Sequence, residues 1–273
     1  MAKSALLKSS IGKKYWMALT GLFLCLFLVG HLAGNLQLLV PNNALNFNKY
    51  ALFMTSNPAV KLLSYLTYIS IIFHAIDGIL LTIQNKKARP IGYAMNDPKK
   101  NSGFASRNMA VLGTVILIFI VTHMISFWAR MHFDENMPLQ KMTIEAQGMK
   151  QDYYLTTDGG YIPVNDPAYV IKNRTEFFDA KANVKIKEGY KDLYKITFEF
   201  FKETKWGLIY TLLYVLSMIV LAFHLFHGFQ SAFQSLGANN PKYTPGIKFF
   251  GKAFAIIVPF LFAIIPLYIH FSK

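Results

Sequence analysis

Four histidines define the chemistry to be explained. His31, His74, His123 and His224 each lie deep inside a different long apolar stretch of the chain. An ionisable ring at membrane depth is costly and marks a functional position by default. A zinc or di-iron centre wants mixed ligands at close spacing, and no cysteine cluster or carboxylate pair accompanies these rings. One imidazole on each of four helices suits another task, clamping planar macrocycles from both faces. Haem iron takes two axial imidazoles in this way, one from each of two facing helices. A single buried histidine has the plainer reading of a hydrogen-bonding core residue; four at paired depths favour the haem reading.

The elements that must carry these rings are set by the charges. The chain has 273 residues, 53% hydrophobic and 15% charged, with a formal net charge of +14. A soluble domain carries about 25% charged residues. Charge-free or nearly charge-free gaps separate Lys14 from Lys49, Lys61 from Lys86, Arg107 from Arg130, Lys205 from Lys242, and Lys252 from Lys273. Roughly 20 apolar residues cross a bilayer core as a helix. The gaps predict an all-α membrane protein with five transmembrane helices, I to V, near 14–40, 60–85, 107–131, 206–236 and 247–270. The whole of 1–273 reads as one polytopic membrane domain. The first apolar run is too long for a removed signal peptide.

Lysine and arginine counts orient the chain. The N-terminus, the II–III connection and the IV–V connection together carry 13, against 3 in the I–II connection and at the C-terminus. The N-terminus is therefore expected in the cytoplasm and the C-terminus outside. The insertion 132–205, between helices III and IV, is expected on the outer side. Residues 130–205 hold 12 basic and 12 acidic residues and sum to zero. Turn residues such as Asp158-Gly159-Gly160 and Asn165-Asp166-Pro167, followed by an amphipathic run from Tyr190 to Trp206, read either as a small ordered cap with a surface helix or as a solvated spacer. The sequon Asn173-Arg174-Thr175 reads as chance. A basic nucleic-acid binder is excluded by the clustering of the charge, disorder by 24 Phe and 15 Tyr, and an intramolecular disulfide by the single Cys25.

Depth pairs the histidines. At 1.5 Å per residue, His31 lies about 26 Å beyond Lys14 and His123 about 24 Å beyond Arg107. By the same rise, His74 and His224 lie about 18 Å from the cytoplasmic end. This predicts an inner pair, His74 with His224, and an outer pair, His31 with His123, on levels about 6 Å apart. Local sequence agrees. Helices II and IV both read Phe-His-x-x-x-Gly, at Phe73-His74 with Gly78 and at Phe223-His224 with Gly228. A glycine at i+4 shares the histidine's face and leaves room for a flat ring. Helices I and III carry Gly34 and Ser126 three residues after their histidines. Helices I–IV are thus expected as a haem-binding four-helix bundle, with helix V packed alongside.

Other residues carry two readings each. Asp77, the one acid within a span, serves either near the inner haem edge or as a carboxylate paired with a basic loop. His227 reads as a polar neighbour of the site, and His132 and His270 as interfacial. Lys14, Arg107 and Ser231 could meet haem propionates or simply end helices. Asn35, Gln37 and Trp128 could line a quinone pocket, against a favoured reading as belt or interhelical residues. Pro259 and Pro266 predict kinks in helix V.

At these residues the sequence resembles a known family, the di-haem cytochrome b membrane anchors of bacterial succinate dehydrogenase and fumarate reductase. The resemblance covers roughly 14–131 and 206–270. It rests on Gly21-Leu22-Phe23-Leu24 through Gly30-His31, His74-Ala75 with Gly78, His123, and His224-x-x-x-Gly228 followed by Ser235-Leu236-Gly237. It implies two haems b, one on His74 and His224 nearer the cytoplasm and one on His31 and His123, and it selects His224 over His227. It further implies a respiratory-chain subunit in the bacterial inner membrane that binds no succinate itself. A cytoplasmic flavoprotein subunit would oxidise succinate, as in the tricarboxylic acid cycle, and an iron–sulfur subunit would pass electrons through the haems to quinone, expected to be menaquinone. Some members carry a glutamate two residues before the helix-IV histidine; here Ala222 stands there, and residues 1–134 contain no Glu. The 132–205 insertion is longer than the family's usual connection. Two other classes remain open: the cytochrome b of a hydrogenase or nitrate reductase complex, and a transporter with a histidine proton relay.

Overall fold

The computed structural model describes residues 9–88, 90, 91, 97, 102–146 and 148–272. Five of its helices are long and apolar enough to cross a membrane: Ile11–Leu39, Pro58–Lys87, Met109–Phe133, Gly207–Ser235 and Thr244–Phe271. Each expected span lies within a turn of the observed one. We label the elements α1 (Ser10–Asn35, extended by a 3-10 turn over Leu36–Leu39), α2 (Ala44–Ser56), α3 (Pro58–Lys87), α4 (Phe104–Arg107), α5 (Met109–His123), α6 (Arg130–Phe133), α7 (Leu193–Lys202), α8 (Gly207–Ser235) and α9 (Thr244–Phe271). A π-helical turn, Met124–Ala129, joins α5 to α6 directly after His123. Such wide turns re-aim the helix face beyond them and gather at functional sites.

Local chemistry sets the helix ends. The Ser9 hydroxyl caps α1 by accepting from the Gly12 amide at 2.9 Å. Asn57 caps α3, accepting from the Ala59 amide at 2.9 Å, with Pro58 in the first turn where its missing N–H costs nothing. Gly237, at φ +83°, stops α8 in the left-handed conformation, and the Ala238 amide folds back onto the Phe233 carbonyl at 2.9 Å.

The spans pack as a square with a buttress. α1 and α5 each pack against α3 and α8, so α1 faces α5 across one diagonal and α3 faces α8 across the other. α9 lies against α8 and α1, outside the square. In hydrocarbon, apolar burial adds little, and close van der Waals approach holds helices together. Small residues provide it here. A Cβ at Gly251 on α9 would lie 2.6 Å from the Phe229 ring of α8, and Ala255 nearby is buried.

Two elements departed from the expected layout. The connection from helix I to helix II contains the helix α2, hidden in the sequence by its asparagines. The amphipathic run before helix IV forms α7, but α7 packs on α2, α8 and α9, burying Ile196 and Phe201 against the bundle. Between α6 and α7 the insertion folds into two three-stranded antiparallel sheets, β1 (Lys141–Ala146), β2 (Met149–Leu155) and β3 (Tyr161–Pro163), then β4 (Tyr169–Lys172), β5 (Glu176–Asp179) and β6 (Lys185–Glu188). Leu139, Ile162 and Phe177 form the small core between them. The Asp158 carboxylate at the first predicted turn accepts from the Thr156 hydroxyl and from Lys187, which holds it well below the usual carboxylate range.

A buried polar clasp ties this cap to the bundle. Asn48 of α2, 1% exposed, donates its amide to the Asp192 carboxylate at 2.8 Å and to the Gln140 side-chain oxygen. Its own oxygen accepts from the Tyr194 amide at 3.0 Å. Asp192 in turn caps α7 through the Lys195 amide at 3.0 Å.

Candidate functional site

The four span histidines meet as two pairs across the two diagonals. The rings of His31 on α1 and His123 on α5 have centres 5.8 Å apart, with planes at 88°. Those of His74 on α3 and His224 on α8 have centres 6.1 Å apart, with planes at 67°. The partners are those that depth along the helices had matched. His227 belongs to neither pair.

The spacing between levels differs from the expectation. On α1, Thr20 lies against His74 and His31 against His123. Those two positions are 11 residues apart, about 16 Å of helix rise. On α8, Tyr214 touches His123 and His224 faces His74. They are 10 residues apart, about 15 Å. The levels are therefore about 15 Å apart rather than about 6 Å. Measuring from flanking charges misplaced them, because Lys14 lies inside α1 and Lys86 close to the end of α3, so the two are not at one depth.

Each level has its own surroundings. Around the pair nearer the cap, Phe27 stacks on His31 at 5.2 Å, Phe262 of α9 lies 5.7 Å from it, and Phe119 and Phe127 flank His123. The Tyr214 hydroxyl is 3.3 Å from His123 Nδ1. At the pair nearer the lysine-rich end, the Thr20 oxygen is 3.3 Å from His74 Nδ1, and a Cβ on Gly21 would lie 3.1 Å from His74 Cε1. His224 Nδ1 is buried without a hydrogen-bond partner, and its Cε1 would be 3.7 Å from a Cβ on Gly113. Sequence reasoning had passed over Thr20 and Tyr214. Tyr214 had a signal, a hydroxyl in mid-span at the level of the other pair.

The donor set can be tested against a macrocycle. Among the described residues no three His, Cys, Asp or Glu side chains gather as a metal cluster. Each level instead offers two imidazoles, enough for the two axial positions of a six-coordinate metal whose other four ligands come from a ring. Metal–imidazole bonds of about 2 Å put the centres of two such axial rings about 6 Å apart. Both pairs meet that separation, and either interplanar angle is allowed because an imidazole can turn about its metal bond. The free Nδ1 of His224 is the kind of buried polar atom that needs an explanation. The residues present fit a bis-histidine haem at each level.

The remaining candidates separate cleanly. Gly78 has open space beside it, as a flat ring on that face requires, whereas a Cβ at Gly34 would lie 2.6 Å from the Tyr50 ring, so Gly34 serves α2 packing. Gly228 has only Met109 and His224 at the edge of contact. Asn35 donates to the His31 carbonyl at 2.8 Å, and Trp128 donates to the Tyr68 hydroxyl at 2.8 Å, both bonds within the bundle. Gln37, Ser231, Asp77 and His227 are half-buried, and Lys14 and Arg107 are exposed. His132 stacks on Trp128 at 4.6 Å, and His270 donates to the Phe201 carbonyl at 2.7 Å, both at the cap end. Arg89, Lys99 and Lys100 lie outside the described residues. Compared with protein-family models, with curated proteins and with solved structures, this chain has no match.

Proposed function

We propose that this chain is the membrane-anchor cytochrome b of a succinate:quinone oxidoreductase in a bacterial cytoplasmic membrane. The observation that carries the reading is the two crossed imidazole pairs, each at the separation a six-coordinate iron requires. His74 and His224 would hold one haem b and His31 and His123 the other. When bound, the haems supply a one-electron path through a low-dielectric layer in which a charge is otherwise costly. The chain's own residues fix the imidazoles on four helices and surround the cap-side pair with Phe27, Phe119, Phe127 and Phe262. Haem propionates and menaquinone would be met at the ends of the square. Succinate chemistry belongs to a flavoprotein subunit, linked through an iron–sulfur subunit docked on the lysine-rich rim. That rim faces the cytoplasm by the 13-to-3 distribution of Lys and Arg.

The test is a reduced-minus-oxidised spectrum and a haem count on the purified chain. Two b-type haems per chain are expected, and the absence of a b-type band overturns the reading. Co-purification of a flavoprotein and an iron–sulfur subunit separates this assembly from a hydrogenase or nitrate reductase type. The rim makes a further prediction. Lys86→Glu with Lys87→Glu should weaken retention of the soluble subunits by about tenfold at low salt, with a smaller effect as salt rises. Unchanged retention in a salt series would remove the rim from the docking surface.

A further inference from the structure

We infer that Thr20 is a positioning residue that fixes the tautomer of His74, with the proton on Nδ1 and the lone pair on Nε2. The inference deepens the haem reading and rests on it for its consequence, though not for the tautomer itself. The Thr20 hydroxyl has one proton. It lies 2.8 Å from the Trp16 carbonyl and 3.2 Å from the Met17 carbonyl, the back-bonding geometry of a helical threonine. The longer contact, 3.3 Å, runs from the same oxygen to His74 Nδ1. With its proton committed to the shorter bond, the oxygen can only accept from the ring. An acceptor at that ring nitrogen requires an N–H there. Neutral imidazole has one N–H, so Nε2 keeps its lone pair. The bare backbone at Gly21 lets the ring edge lie against α1, with the nearest approach at Cε1.

No other histidine of the two pairs is held this way. His224 Nδ1 has no partner. His123 Nδ1 faces the Tyr214 hydroxyl, which can turn to donate or accept. Asn35 approaches His31 Nδ1 at 3.5 Å, too long to select a tautomer. A ligand imidazole whose N–H is bonded to an acceptor is the more basic donor to a metal. The centre on His74 and His224 thus has one strengthened ligand and one unassisted ligand. Removing the Thr20 oxygen lowers electron donation to that centre and raises its midpoint potential.

The experiment has two arms. In the haem-free chain with nitrogen-15-labelled histidine, nuclear magnetic resonance should report His74 as the Nδ1–H form, and Thr20→Val should shift it toward a mixture of tautomers. In the purified haem-loaded complex, a redox titration followed by absorbance should show one midpoint raised in Thr20→Val and the other unchanged, with Thr20→Ser restoring the wild-type value. Loss of one haem in Thr20→Val but not in Thr20→Ser supports the same role, because the two differ in the hydroxyl. Thr20→Val with both tautomer and potentials unchanged overturns the inference, as does Thr20→Ser behaving like Thr20→Val. A wild-type complex lacking a b-type band defeats the haem reading instead, and leaves the tautomer measurement to stand by itself.

Discussion

His74→Ala should reduce the haem count from two per chain to one, and His224→Ala should remove the same haem. The two rings face each other across the α3–α8 diagonal, 6.1 Å apart, so each variant would leave the proposed haem there with one imidazole instead of two. The double variant should lose no more than either single one, because the paired residues act as a unit. His31→Ala and His123→Ala should remove the other haem, with the same lack of additivity. The crossed combination His31→Ala with His224→Ala should remove both. His227→Ala should keep both, since His227 stands outside the pairs. Haem quantification with difference spectra reads every case. Singles at one diagonal that remove different haems would break the pairing, and four singles that keep two haems would break the ligand assignment.

The second large effect is expected far from the rings. Asn48→Ala deletes three hydrogen bonds at a position 1% exposed. It strands the Gln140 oxygen and the Tyr194 amide and removes one of the two donors to an Asp192 carboxylate oxygen. A buried polar group left unpaired costs about 1–3 kcal/mol. Asp192 keeps its bond from the Lys195 amide, and neighbours relax, so a loss of about 3 kcal/mol is expected in total. Asn48→Asp should be worse than alanine, because it buries a second carboxylate against Asp192 with no donor between them. The cost falls on docking of the cap rather than on the spans. Limited proteolysis in detergent should therefore cut within residues 134–192 in the variants while the helices stay protected. A digestion pattern identical to wild type would show that the clasp does not hold the cap.

The spans were legible because charge is so sparse in this chain: a gap such as Lys205 to Lys242 leaves a helix no other place to be. The partners within each histidine pair were legible because position along a membrane helix is nearly position along the membrane normal. Their absolute levels were not. Charged flanks mark where a helix leaves the apolar layer only loosely, and Lys14 sits a turn inside α1. α2 carries Asn46 and Asn48, residues of weak helix propensity, and tertiary bonding, most plainly the clasp on Asn48, overrides that local preference. The strands of the cap carry no strong alternation: β1 is exposed along its whole length. Thr20 and Tyr214 could be seen in the sequence, but only the fold shows which ring each one meets.

The crossing of the two diagonals also sets an order of assembly. His31 and His123 are both present once α5 has been made, whereas His74 must wait for α8, on the far side of the cap. At about 5–20 residues per second, the roughly 100 residues between His123 and His224 take about 5–20 s to synthesise. Throughout that interval the newborn chain holds one complete imidazole pair and one solitary imidazole. The cap is therefore a delay line, and the imidazole pair nearer the lysine-rich end of the bundle closes last.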